Sequence, residues 1–382
     1  IELYKNTVLK DKSGKKRNEK FPVLHYLFEF LDAYDFTSEG KEEIQEDKKT
    51  LINASVLGLI FEKINGYKDG SFFTPGFITM YMCRETLRRS VVQKFNDKYD
   101  WKCETLYDIK NNLAQRRNTS DILEFNSVIN SIKICDPAVG SGHFLVSALN
   151  ELIAIKSELG LLADANGSLL SDYEAKVEND ELIITYNNGE DIFEYHPPID
   201  KRSGSSNKVQ RVQETLFNEK QTIIENCLFG VDINPNSVKI ARLRLWIELL
   251  KNAFYTKESN YSELETLPNI DINIKEGNSL ISRFDLDADL KSALKTIRYT
   301  IDDYKSFVRD YKNTNNKEEK NNFRRFIEDI KSNFRTEIGK NDPRQKKLSN
   351  LAFELHNKFQ TERLIDVELS QKDKEKLKKE EN

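Results

Sequence analysis

Apolar positions along the chain change period several times, and each change marks an element. Residues 52–64 place Val56, Leu57, Ile60, Phe61 and Ile64 on one face at helical spacing, with Asn65-Gly66 as a stop signal. Residues 77–95 repeat the helical pattern after Thr74-Pro75-Gly76 and carry Arg84, Arg88 and Arg89 along one side. A strand-like run over 132–135 opens the middle of the chain, followed by a glycine-rich turn and an apolar helix over 144–159. Residues 160–222 read as an insertion with a hairpin, 182–186 against 191–195 around Asn187-Asn188-Gly189, and with 201–208 as a mobile loop. Another strand, 227–232, leads to Asn234 as an N-cap with Pro235 at the first helical position. The helix behind them is expected to bury Val238, Ala241, Leu245 and Leu249. A third strand over 270–274 is expected to end at Gly277-Asn278, and from about residue 285 the chain reads as a charged, helical, paired-helix arm. This ordering predicts a helical N-terminal region over 1–125, an α/β core over 126–285 interrupted by the insertion, and a charged helical arm over 286–382.

Composition narrows the classes without naming one. A chain of 382 residues is long enough for two or three domains, while 32% charged residues and a mean hydropathy of −0.64 demand extensive polar surface. The longest apolar runs are as short as Leu152–Ile155, far below the ~18 residues of a membrane span. Cys83, Cys103, Cys135 and Cys227 lie far apart with no C-x-x-C pair, which predicts free thiols in a reducing cytoplasm. The chain opens on Ile1 with no charged-then-apolar leader and closes on a charged run, so both ends read as cuts through a longer protein. The net charge of −4 does not advertise nucleic acid. Its distribution is more telling, because residues 291–350 hold 16 Lys/Arg against 9 Asp/Glu, a local +7 suited to a phosphate backbone or to a solvated helix face.

The sharpest local signal is Asp136-Pro137-Ala138-Val139-Gly140-Ser141-Gly142-His143-Phe144, a strand–turn–helix. Gly140 and Gly142 let the backbone approach a ligand, and the helix N-terminus behind them presents N–H groups to a negative group. A dinucleotide fingerprint requires a third glycine where Leu145 stands, and a phosphate-binding P-loop requires a Lys-Ser/Thr pair that is missing. The acid that closes a strand is instead Asp232, in Val231-Asp232-Ile233-Asn234-Pro235. An acid there can accept two ribose hydroxyls while Ile233 packs on an adenine face, or it can simply cap the next helix. Asn278, in Gly277-Asn278-Ser279-Leu280 after the third strand, can accept from an adenine amino group or serve a tight turn.

Taken in order, Phe72-Phe73-Thr74-Pro75, the Asp136–Phe144 turn, Val231–Pro235 and Gly277–Leu280 resemble the N6-adenine DNA methyltransferases whose cofactor motifs precede their catalytic motif. Over residues 50–360 the chain more closely resembles the large type IIG restriction–modification polypeptides, which fuse nuclease, methyltransferase and target recognition. The resemblance implies a Rossmann-like, doubly wound α/β domain that binds S-adenosyl-L-methionine. Phe73, Thr74 and Pro75 would then meet the methionine end of the cofactor. Asp136, Pro137, Ala138, Gly140, Gly142 and Phe144 would line its amino-acid moiety, Asp232 would hold the ribose, Ile233 would lie against the adenine, and Asn278 would hold the adenine amino group. Double-stranded DNA would be the substrate, bound weakly or not at all by this stretch alone, with no membrane involvement and the oligomeric state left open.

Relatives flip the adenine onto an Asn/Asp-Pro-Pro-aromatic tetrapeptide after the third cofactor motif. The one Pro-Pro here, His196-Pro197-Pro198-Ile199, precedes Asp232, offers His in place of the amide and lacks the aromatic; after Leu280 the only proline is Pro343. The catalytic motif and target-recognition domain are therefore expected beyond residue 382, and a nuclease domain, if the parent has one, before residue 1. The triad Asp329-Ile330-Lys331 lacks a second acid after a strand and does not read as a nuclease site, and the four histidines form no catalytic constellation. Two rivals remain at this level. A dehydrogenase or kinase is disfavoured by Leu145 and the missing P-loop lysine, and a catalytically incomplete helical DNA- or protein-binding module would use the basic arm alone.

Overall fold

The computed structural model describes residues 74–178, 180–196, 204–271, 273–281, 299–314 and 316–339, with short pieces at residues 20, 22, 25, 26, 29, 34, 35, 50, 51, 347, 348 and 350–354. The helix read over 52–64, Phe73 and the Pro197-Pro198 step lie outside the described residues. The chain divides into two compact units, Ile1–Ser279 and Leu280–Asn382.

In the first unit a helical layer precedes the sheet. Helix α1 (Gly76–Tyr99) starts directly after Pro75, whose carbonyl accepts from the amides of Ile78 and Thr79, and it ends at Asp100 in the left-handed conformation. It buries Cys83, Leu87, Val91 and Phe95 at helical spacing. Helix α2 (Leu106–Leu113) opens on a capping box between Thr105 and Asp108, and α3 (Thr119–Asn130) on an Asn118 cap.

The sheet described here has three parallel strands, β1 (Ile134–Asp136), β5 (Leu228–Asp232) and β6 (Ile274–Glu276), with β5 in the centre. Helix α4 (His143–Glu158) follows β1, and α6 (Pro235–Leu250) follows β5. The expected strand over 132–135 is shifted because the Ile132 amide still bonds the Ile129 carbonyl; Ile134 is the first to reach across, donating to Cys227 O at 2.7 Å. The strand expected over 270–274 likewise starts only at Ile274. Asn273, just before it, is buried and uses its side-chain amide to satisfy the carbonyls of Ile224, Glu225 and Leu228.

Helix α4 is the axis of this unit. Every residue from Leu145 to Lys156 is buried, so the helix is enclosed on all sides. Arg88 of α1 reaches it at Glu151 (2.8 Å) and Glu158 (2.7 Å), so the arginine side of α1 faces a packed neighbour there. Helix α6 buries Val238, Ala241, Leu245 and Leu249 as its spacing requires, and also Arg244 and Glu248.

The insertion is more ordered than its composition suggests. The expected hairpin around residues 187–189 is present, as β3 (Glu181–Tyr186) against the shorter β4 (Asp191–Ile192), and an unexpected β2 (Tyr173–Glu178) pairs with β3 along its full length to make an antiparallel meander. Helix α5 (Gly204–Asn226) begins inside the segment read as a mobile loop, so residues 204–208 are helical. It is held by buried polar contacts, among them Gln210 with Tyr255 O and the Lys156–Glu219 ion pair.

In the second unit, α7 (Ile301–Asn313) starts at a Thr300–Asp303 capping box and α8 (Lys317–Gly339) follows. They pack through the stacked rings of Phe307 and Phe326, 5.1 Å apart, and around buried Tyr311, whose hydroxyl accepts from Arg324 at 2.9 Å. Among the described residues, no helix is long and apolar enough to cross a membrane.

Candidate functional site

Parallel pairing of β1, β5 and β6 brings their carboxyl ends to one edge of the sheet, where open α/β sheets form ligand crevices. Three separate stretches of sequence meet there. Asp136 ends β1, Asp232 ends β5, and Gly277-Asn278 follows β6.

Asp232 organises this edge. Its Oδ2 accepts from the Gly140 amide at 2.8 Å and its Oδ1 from the Asn234 amide at 2.8 Å. Its own carbonyl accepts from the Gly277 amide at 2.9 Å, and the carbonyl of neighbouring Val231 accepts from Val139 at 2.9 Å. One residue therefore ties the glycine turn, the start of α6 and the end of β6 together. Asp232 is half-buried, and each carboxylate oxygen keeps acceptor capacity after its one backbone bond. Beside it Ile233 is 70% exposed, an apolar surface with no core to face. A group with paired hydroxyls next to a flat ring fits this donor–acceptor set.

Asp136 folds its carboxylate back onto the Ala138 amide at 3.0 Å. Burial pushes its carboxyl above the usual range, the Ala138 hydrogen bond opposes that, and the charge of Asp232 adds to it. Pro137 and Ala138 are exposed at the tip of the turn, and Asn278 is exposed beside the end of β6. Phe144 is partly buried against the core, and its carbonyl faces Cys83.

The two glycines of the turn have different work. Gly140 adopts φ 53°, and its amide is the one bound by Asp232. Gly142, at φ 81°, is buried, and a Cβ there would lie 3.0 Å from the Ala241 Cα. The missing side chain lets α4 pack closely on α6. Gly142→Ala is expected to destabilise the chain by about 2–4 kcal/mol, combining left-handed strain with overpacking, as read by chemical denaturation at constant slope.

Thr74 and Pro75 are exposed and lead into Gly76, where an added Cβ would meet the His143 ring at 2.9 Å. The start of α1 is thereby brought against the glycine turn, placing Thr74-Pro75 next to the turn from a distant stretch of sequence. Sequence reasoning missed what lies behind this contact. His143 Nε2 sits 3.2 Å from Asp180 Oδ2, at ion-pair distance but off hydrogen-bond alignment. Arg244 spans His143 Nδ1 (3.0 Å) and Ser141 Oγ (3.1 Å). Ser147 donates to Asp180 Oδ1 at 2.6 Å, and Thr79 of α1 lies 3.2 Å from the Ser147 hydroxyl. One signal was available, because Arg244 and Glu248 fall on the same stripe of α6 as Ala241 and Leu245. Among the described residues, no group of His, Cys, Asp and Glu is placed to hold a metal ion.

Residues 112–335 match the family described as the MmeI DNA-methyltransferase domain, more than half of the chain. The chain belongs to that family. This MmeI-type domain therefore rests on an α/β architecture with a parallel sheet, and the crevice edge described above falls within the matched segment. Residues 1–52 match a separate family described as a domain of unknown function. A relative from Methanocaldococcus jannaschii, named "Putative type II restriction enzyme and methyltransferase", is 31% identical over 280 residues. Those residues are 69% of this chain and 19% of the relative, so the chain spans about a fifth of that protein's length.

Proposed function

We propose that this chain is the S-adenosyl-L-methionine-binding part of an N6-adenine-specific DNA methyltransferase, carried in a type IIG restriction–modification polypeptide and built as a Rossmann-like domain. The observation that carries the reading is the set of three backbone groups gathered by Asp232, which brings the Asp136 turn, Ile233 and Gly277-Asn278 to one crevice edge. In it Asp232 accepts the ribose hydroxyls, exposed Ile233 covers one adenine face, and Asn278 accepts from the adenine amino group. Asp136, Pro137, Ala138, Gly140, Gly142 and Phe144 line the amino-acid moiety, with Phe73-Thr74-Pro75 closing the methionine end. When bound, the cofactor supplies an electrophilic methyl group on a sulfonium. Two carboxylates on neighbouring strand ends give the crevice a negative field, which suits a ligand carrying ammonium and sulfonium charges.

Double-stranded DNA is the substrate in this reading. Methylation of N6 requires a flipped adenine held between paired acceptors and a stacking ring. This chain carries no Asn/Asp-Pro-Pro-aromatic tetrapeptide, so it binds the donor and does not transfer methyl groups by itself. The test has two arms. Calorimetry is expected to show binding of S-adenosylmethionine by the chain. Tritiated methyl transfer to adenine-containing duplex DNA is expected to be silent for this chain and robust for one extended until it includes such a tetrapeptide. Absence of donor binding overturns the reading of the crevice, and incorporation by the chain as it stands overturns the assignment of catalysis to another segment.

A further inference from the structure

We propose that Asp180, carried by the insertion, is a positioning residue that sets the glycine turn for donor binding, acting through His143 and Arg244. The inference rests on the donor-binding reading above and adds to it a residue from outside the cofactor motifs.

Asp180 sits at φ 68° on the two-residue turn between β2 and β3, in the left-handed region that a non-glycine residue rarely occupies. The turn is fixed against α4 from two sides, by Ser147 on the carboxylate and by the Asn150 amide on the Asp180 carbonyl at 3.1 Å. The carboxylate is thereby aimed at His143, the residue directly after Gly142. The other nitrogen of that ring faces Arg244, and a guanidinium only donates, so Nδ1 must accept. The proton of the imidazole is then on Nε2, facing Asp180. The same guanidinium fork holds Ser141 Oγ, inside the turn. The chain Asp180–His143–Arg244–Ser141 runs from the insertion to the glycine turn, and at Gly76 it also touches the start of α1.

The cost of keeping this carboxylate points the same way. Burial pushes the Asp180 carboxyl up to about 6; Ser147 and the charges of Arg244 and Lys251 oppose the rise, and Glu248 adds to it. The groups facing it are His143, Ser147 and Asn150 of α4, Arg244 and Glu248 of α6, Lys251 just after α6, and Cys83 of α1. A carboxyl whose folded value lies above its ordinary 3.8 contributes stability that is full at lower pH and is lost as pH rises through about 6. At pH 7.5 the ionised Asp180 is therefore no asset to the fold, and its asset is geometric.

The experiment compares the full chain with Asp180→Asn, an isosteric change that can keep the Ser147 bond. Hydrogen exchange at the amides of residues 140–142 is expected to quicken in the variant at pH 7.5, with its melting temperature at or above that of the unaltered chain. Calorimetry with S-adenosylmethionine is expected to show an affinity loss of about tenfold, because the loss of the charge facing His143 loosens the turn. Affinity of the unaltered chain is expected to fall below about pH 6, and that of Asp180→Asn to lose this step. Unchanged exchange and affinity in Asp180→Asn overturn the proposal, as does a lowered melting temperature with affinity intact, which marks a merely structural contact. Should Asp180→Asn fail to fold, Arg244→Lys keeps the charge but loses the fork, and the same two readouts decide. Absence of donor binding by the unaltered chain sinks the donor reading, while the exchange arm still judges the positioning.

Discussion

Asp232→Ala is expected to weaken S-adenosylmethionine binding about a hundredfold or more, as measured by calorimetry at pH 7.5. The carboxylate offers its remaining acceptor capacity to the ligand and simultaneously holds the Gly140 and Asn234 amides. Its removal takes away the acceptors and releases the turn that forms the other wall of the crevice. Each polar group left without a partner costs ~1–3 kcal/mol, and the lower end applies because water can reach this half-buried edge. Two such losses, ~1 kcal/mol each, give about thirtyfold, and release of the Gly140 turn supplies the rest of the hundredfold figure. Asp232→Asn is expected to rescue poorly, since its NH₂ would be set against one of the two backbone donors. Unaltered affinity in Asp232→Ala would remove the residue from the binding site.

The second large effect is on stability. Lys156 of α4 is fully buried and paired with Glu219 of α5, itself nearly so. Glu219→Ala leaves an ammonium group inside the protein without its counter-charge, which costs ~3–5 kcal/mol. In a domain of this size that corresponds to a fall in melting temperature of roughly 6–20 °C. The double change Lys156→Met with Glu219→Leu is expected to recover most of the loss, because apolar side chains of similar volume replace buried pairs at little cost. A full-sized loss in the double variant would show that the two helices depend on the charge pair itself.

Much of the crevice was legible in the sequence because its elements are local. The Asn234-Pro235 start signal and the Val238, Ala241, Leu245, Leu249 stripe gave α6 without ambiguity, and the apolar run after Phe144 gave α4. Strand β2 escaped because only Ala175 of its six residues is fully buried, so charged Glu174, Lys176 and Glu178 masked an alternation of Tyr173, Ala175 and Val177. The start of α5 was hidden by Gly204-Ser205-Ser206, and its buried face by Gln210, Gln213 and Lys220, which carry no hydrophobic signal. The Asp180–His143–Arg244 chain was not legible at all. Its members come from a hairpin turn and two different helices, and their charges only become neighbours once the core has formed.

The contact between Gly142 and Ala241 sets a distance as well as filling space. With no side chain on one partner and a methyl on the other, the head of α4 meets the middle of α6 almost backbone to backbone. Each of those helices is joined by a short turn to a strand ending in an acid, Asp136 in one case and Asp232 in the other. The pair thus behaves as a gauge for the spacing of the two carboxylates across the crevice. Enlarging residue 241 would widen the gap between them just as enlarging residue 142 would. Tolerance at these two positions is accordingly coupled, and a bulky residue at either one would have to be met by redesign of both turns.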